Sequence, residues 1–113
     1  MDGQSLKVLV VEDELLLLEA IGAKLRKEGV EAILCSSGNK ALEYVNSDAE
    51  LPDAIWLDYY LKDMNGLAFM NKVRQSPKWQ NVPVIVVSNS ANAQKVNSML
   101  ALGVKKYLLK AFL

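Results

Sequence analysis

Short runs rich in β-branched residues punctuate this chain, and the apolar residues between them fall at helical spacing. The runs cover residues 7–11, 54–57, 84–87 and 106–109, and a weaker one at 31–34 follows a Glu28-Gly29 helix stop. They are short and lack polar–apolar alternation, which is how strands buried on both faces read. Leu17, Ile21 and Leu25 recur at i, i+4 and i+8, and Gly29 closes that helix. Ala41, Leu42 and Val45 predict a second helix, capped by Ser37 or Asn39. Leu67, Met70 and Val73 predict a third over 66–75, and Ala93, Val96, Leu100 and Gly103 a fourth. Strand alternating with helix predicts an α/β fold, a doubly wound five-stranded parallel sheet.

Length and composition narrow the function. The 113 residues, 51% of them hydrophobic, suit a single domain with a buried core. Lysine plus arginine and aspartate plus glutamate number 13 each, so no overall field draws in nucleic acid or an anionic membrane. No apolar run approaches the ~20 residues that span a bilayer. The opening MDGQS lacks the pattern of a signal peptide. Cys35 is the only cysteine, which excludes an internal disulfide and fits a reducing cytoplasm. Histidine is absent, which removes the usual zinc sites, histidine-dependent triads and any internal phosphohistidine.

The stretch KVLVVEDELL runs four apolar residues, Val8 to Val11, straight into Glu12, Asp13 and Glu14. Crowded acids at the end of a buried strand call for something positive, because an unpartnered buried carboxylate costs several kcal/mol or more. In open parallel sheets the ligand site lies beyond the carboxyl ends of the strands, where strand order reverses. The residues there are Glu12-Asp13, Asp58, Ser88 and Lys110. In the order 2-1-3-4-5, strands one and three are neighbours ~4.8 Å apart, so Asp13 and Asp58 share one site with Glu12 beside them. Oxygen-only ligands suit a hard cation, magnesium or manganese. Lys110 lies two strands from Asp58, ~10 Å along the sheet, within reach of its long side chain. A metal site, an ammonium, a hydroxyl and an accessible carboxylate have one economical joint use, phosphoryl transfer to the carboxylate. Trp56 and Cys35 read as core, whereas Trp79, between Pro77 and Pro83, reads as covering a loop.

Over nearly its whole length the chain resembles a response-regulator receiver domain of two-component signalling, of the chemotaxis-regulator kind. The matching pieces are Glu12-Asp13, Asp58 with Gly66 eight residues on, Ser88, Gly103, and YLLK, in which Tyr107 precedes Lys110 by three. Any one is weak, but the ordered set is specific. The resemblance implies that Asp58 accepts a phosphoryl group from a phosphohistidine on a histidine kinase or histidine phosphotransfer protein. It implies that Asp13, Asp58 and the backbone carbonyl of Tyr60 hold magnesium, with Glu12 acting through water. Lys110 and Ser88 would contact the phosphoryl group. Tyr107 would swing inward with Ser88 and change a surface read by an output protein. Such a domain is a switch that assists its own phosphorylation and hydrolysis, not an enzyme with a separate substrate.

Three departures stand out. The family usually has proline four residues after the acceptor, where this chain has Lys62, so the loop YYLKDMNG loses a backbone restraint and gains a charge. The lysine is usually followed by a cis-bonded proline, and here Ala111 follows. A non-proline cis bond costs ~2.5–4 kcal/mol, so the Lys110–Ala111 bond is expected to be trans. Receivers normally continue into a fifth helix, and a chain truncated at Leu113 would leave one flank of the sheet open to self-association. Sedimentation showing only monomer across a concentration series would sink that expectation.

Rival readings fare less well. An aspartyl-phosphate phosphatase commonly has a second acid two residues after its nucleophile, where this chain has Tyr60. A nucleotide or flavin binder wants a glycine- or hydroxyl-rich phosphate loop after strand one, and EDELL would repel phosphate without metal. The stronger competitor is a receiver-like protein-binding module that does not undergo productive phosphorylation.

Overall fold

The computed structural model describes residues 6–89 and 92–110. Five strands are present: β1 (Lys7–Val11), β2 (Glu31–Cys35), β3 (Ala54–Asp58), β4 (Val84–Ser88) and β5 (Lys106–Leu109). Four α-helices alternate with them: α1 (Leu15–Lys27), α2 (Gly38–Val45), α3 (Gly66–Arg74) and α4 (Ala93–Ala101). All strand pairs are parallel, in the order β2-β1-β3-β4-β5. The α/β class and the strand order therefore agree with the sequence reading.

Two-residue periodicity sends each strand's side chains to opposite faces. Leu9 and Val11 of β1, Ile55 and Leu57 of β3, and Val84 and Val86 of β4 join Ala41, Val45, Phe69, Met70, Val73 and Met99 in one large core under α2, α3 and α4. On the other face Val10 packs with Leu18 and Ile21 of α1, and Trp56 and Leu34 lie partly buried against them. Leu108 on that sheet's edge is 38% exposed. No helix among the described residues is long and apolar enough to cross a membrane.

Local chemistry sets the helix ends. Ser37 Oγ accepts from Lys40 N–H at 3.0 Å, so Ser37 rather than Asn39 caps α2. Asn65 and Asn92 cap α3 and α4 in the same manner, each at 2.8 Å. Gly29, at φ 81°, stops α1 in the left-handed conformation that glycine enters without a Cβ clash.

Three details differ from the sequence reading, and one expectation lies beyond the described residues. Asp58 and Ser88 are the last residues of their strands, not the first beyond them. In α4 the inward residue is Met99, fully buried, while Leu100 is 46% exposed. Trp79 is core rather than a loop cover: it is 1% exposed, in a short 3₁₀ turn (Pro77–Trp79), its ring 6.0 Å from that of Tyr44 and edge-on to it. The Lys110–Ala111 bond lies outside the described residues.

Candidate functional site

Strand register builds the site. Val11 of β1 is paired with Leu57 of β3, so Glu12 and Asp13 leave the sheet beside Asp58. The parallel pairing of β3 with β4 and β4 with β5 then brings Ser88 and Lys110 to the same edge. Glu12, Asp13 and Asp58 each offer a carboxylate oxygen, all within 4.8 Å of one another. Glu12 is 1% exposed and Asp58 4%, whereas Asp13 is half-buried. Lys110 Nζ stands 3.0 Å from Glu12 Oε1 and 3.5 Å from Asp58 Oδ2. The positive group that the acidic stretch demanded is therefore in place.

Backbone donors hold the acids. Glu12 Oε2 accepts from Glu14 N–H at 3.0 Å, which supplies the start of α1 with a cap that Glu14's own side chain does not provide. Asp58 Oδ1 accepts from Tyr60 N–H at 3.4 Å, and Asp13 Oδ2 from Lys62 N–H at 2.6 Å. Burial and then the neighbouring charge of Glu12 push the Asp58 carboxyl up to about 7, against the pull of Lys110. Burial alone would lower the Lys110 ammonium, but its contacts with Glu12 and Asp58 outweigh that and raise it.

The donor set fits a hard divalent cation. Three carboxylates against one ammonium leave excess negative charge, and buried Glu12 Oε1 has an ion-pair partner but no well-directed hydrogen bond. Ser88 is fully buried at the end of β4 and shares a hydrogen bond with Tyr107. Tyr107 is half-buried, its ring 6.3 Å from that of Tyr59. Burial raises its phenol above the ordinary range despite the bond to Ser88. Tyr60 is half exposed, and Lys95 of α4 lies over its ring at 4.3 Å and bonds its hydroxyl.

Sequence reasoning missed three contributions to this neighbourhood. Lys62 contributes its N–H, which the proline usual at that position lacks. Asp63 accepts from Gly38 N–H at 3.0 Å and Asn39 N–H at 2.8 Å, tying the β3–α3 loop to the start of α2. Burial is the largest single influence on the Asp63 carboxylate and works to raise it, yet the backbone donors, Asn39 and Gly38 foremost, together hold it below the usual range. Lys95 is the third, and nothing in its sequence context marks it as reaching the aromatic pair.

A doubly wound parallel sheet with an acidic cluster and a lysine at its switch point is the architecture of a signalling receiver. The profile of the response regulator receiver domain matches residues 8–113, and the chain belongs to that family. It is 30% identical over 108 residues to chemotaxis protein CheY1 of Helicobacter pylori, covering 95% of this chain and 86% of that protein. Chemotaxis protein CheY4 of Vibrio cholerae shares the fold with a TM-score of 0.89 at 24% identity, over 97% of this chain and 90% of that one. The phosphorylated cyanobacterial phytochrome response regulator RcpA superposes with a TM-score of 0.85 at 25% identity, over 95% and 81%.

Proposed function

We propose that residues 1–113 form a single receiver unit that works as a phosphorylation switch in the cytoplasm, with Asp58 as the phosphoryl acceptor. The observation that carries this reading is the convergence of Glu12, Asp13 and Asp58 within 4.8 Å, with Lys110 against two of them. An ionised Asp58 oxygen attacks phosphorus in line, forming the O–P bond as the P–N bond of a phosphohistidine breaks. The leaving imidazole takes up a proton. The donor is a histidine kinase or a histidine phosphotransfer protein, and the phosphohistidine lies outside these 113 residues, which contain no histidine.

Asp13, Asp58 and the Tyr60 carbonyl would hold Mg2+ or Mn2+, with Glu12 acting through water. The cation supplies positive charge to the phosphoryl oxygens when bound. Lys110 moves from the carboxylates to the phosphoryl group and neutralises charge there. Ser88 donates its hydroxyl to a phosphoryl oxygen and so gives up its bond with Tyr107. Tyr107 then turns inward and alters the surface of α4 and β5 read by an output protein. The domain assists its own phosphorylation and hydrolysis and has no separate substrate. RcpA, which shares this fold, has been captured phosphorylated.

Intact mass spectrometry after incubation with Mg2+ and acetyl phosphate tests the proposal, with Asp58→Asn and metal-free protein as controls. A single phosphoryl adduct requiring both Asp58 and the metal is expected. No adduct, with Mg2+ still bound, would favour a receiver-like binding module without productive phosphorylation. The presence of Lys62 where the family usually has proline, beside the acceptor, is the feature that speaks for that second reading.

A further inference from the structure

We propose that the backbone N–H of Lys62 is a positioning group that fixes Asp13 for cation binding, an inference that rests on the metal reading above. The bond from Lys62 N–H to Asp13 Oδ2 is 2.6 Å long and spans 49 residues of sequence. A backbone N–H donating to a carboxylate makes a charge-assisted bond. The bond occupies one oxygen of a carboxylate that also lies within 4.8 Å of ligand atoms of Glu12 and Asp58.

The donor has a fixed aim because the loop around it is held at several points. Gly66 N–H donates to Tyr59 O at 2.6 Å and Leu61 N–H to Met64 O at 3.2 Å, while Tyr60 and Asn65 form an antiparallel bridge. The loop tip is then secured to α2, where Asp63 takes the N–H groups of Gly38 and Asn39. Met64 packs so closely on Gly38 that a Cβ there would lie 2.7 Å from its side chain. Lys62 and Asp63 thus act back to back, one donating to Asp13 and the other accepting from α2. Such outer hydrogen bonds orient ligating carboxylates, and their loss typically costs 10–100-fold in metal affinity.

Mg2+ titration by calorimetry compares the wild type with Lys62→Pro, which removes the N–H, and Lys62→Ala, which keeps it. Lys62→Pro is expected to weaken binding roughly ten-fold, with Lys62→Ala within about two-fold of wild type. Circular dichroism checks that each variant is folded. If Lys62→Pro does not fold, Asp63→Ala supplies the test by releasing the loop tip, with a several-fold loss expected. In metal-free protein the Lys62 amide proton should resonate downfield and lose that position in Asp13→Asn. Equal Mg2+ affinity in folded Lys62→Pro and wild type, or an equal loss in Lys62→Ala, overturns the inference and leaves the metal reading standing. A wild type that binds no Mg2+ overturns the metal reading and this inference with it.

Discussion

Lys110 Nζ lies 3.0 Å from Glu12 Oε1, and this ion pair joins the last described residue of the chain to the end of its first strand. The pair spans two intervening strands, β3 and β4, since β5 lies at one edge and β1 beyond β3. Glu12 is almost wholly buried, so its charge depends on Lys110 rather than on water.

Replacing Lys110 by methionine removes the cation from both Glu12 and Asp58. Breaking a buried pair from one side costs about 3–5 kcal/mol, and uptake of a proton by Asp58 limits that cost near neutral pH. The variant should lose about 3 kcal/mol at pH 8.5 by chemical denaturation. Its Asp58 carboxyl, read by carbon NMR, should titrate above the wild-type value of about 7. An unchanged or lower value would mean that Lys110 does not act on Asp58.

Asp63 gives the pH dependence a definite sign. Its folded carboxyl sits below the ordinary range of about 3.9, because the Asn39 and Gly38 donors prefer the ionised form. The stability it contributes is thus fully present above the unfolded value and is lost as pH falls through the folded one. Asp63→Asn should be about 1 kcal/mol less stable than wild type at pH 7, the usual scale of a lost helix-start interaction. The gap should close in strong acid. A gap that is constant across pH would assign the effect to packing instead.

Cys35 ends β2 inside the core, and burial pushes its thiol up to about 11. Only the thiolate reacts, so little of the reactive form exists at pH 8. Alkylation by iodoacetamide should be roughly 100-fold or more slower than for a free thiol, and denaturant should restore it. Rapid labelling of folded protein would contradict this burial.

The strand runs and the strand-end residues were legible because a parallel sheet buries both faces and gathers its ligand groups at one edge. Glu12, Asp13, Asp58 and Lys110 were found that way and do converge. Met99 was missed because Met99 and Leu100 are adjacent apolar residues, and helical spacing alone does not choose between them. Trp79 carries no periodic signal between its prolines, and its burial follows from packing on Tyr44, distant in sequence. Lys62 was read for its side chain and its missing proline ring, whereas its effect comes through the N–H. Almost every residue carries such a donor, so sequence gives no sign of where it points.

Arg74, in the last turn of α3, looks like a solvated helix-end charge but is partly buried and serves three carbonyls. Its Nε donates to Leu102 O at 3.1 Å, and Nη1 to Trp79 O at 3.0 Å and Val82 O at 3.4 Å. It therefore ties the end of α3 to the Trp79 turn and to the turn between α4 and β5, behind the strands that present Ser88 and Lys110. Desolvation lowers its guanidinium from the ordinary value, although the group stays charged at neutral pH. Arg74→Ala strands part-buried carbonyls and should cost about 2 kcal/mol by urea denaturation. Arg74→Lys should recover only part of this, because an ammonium cannot reproduce the planar spread of donors. Full recovery by lysine would show that charge alone, not the guanidinium fork, secures the joint.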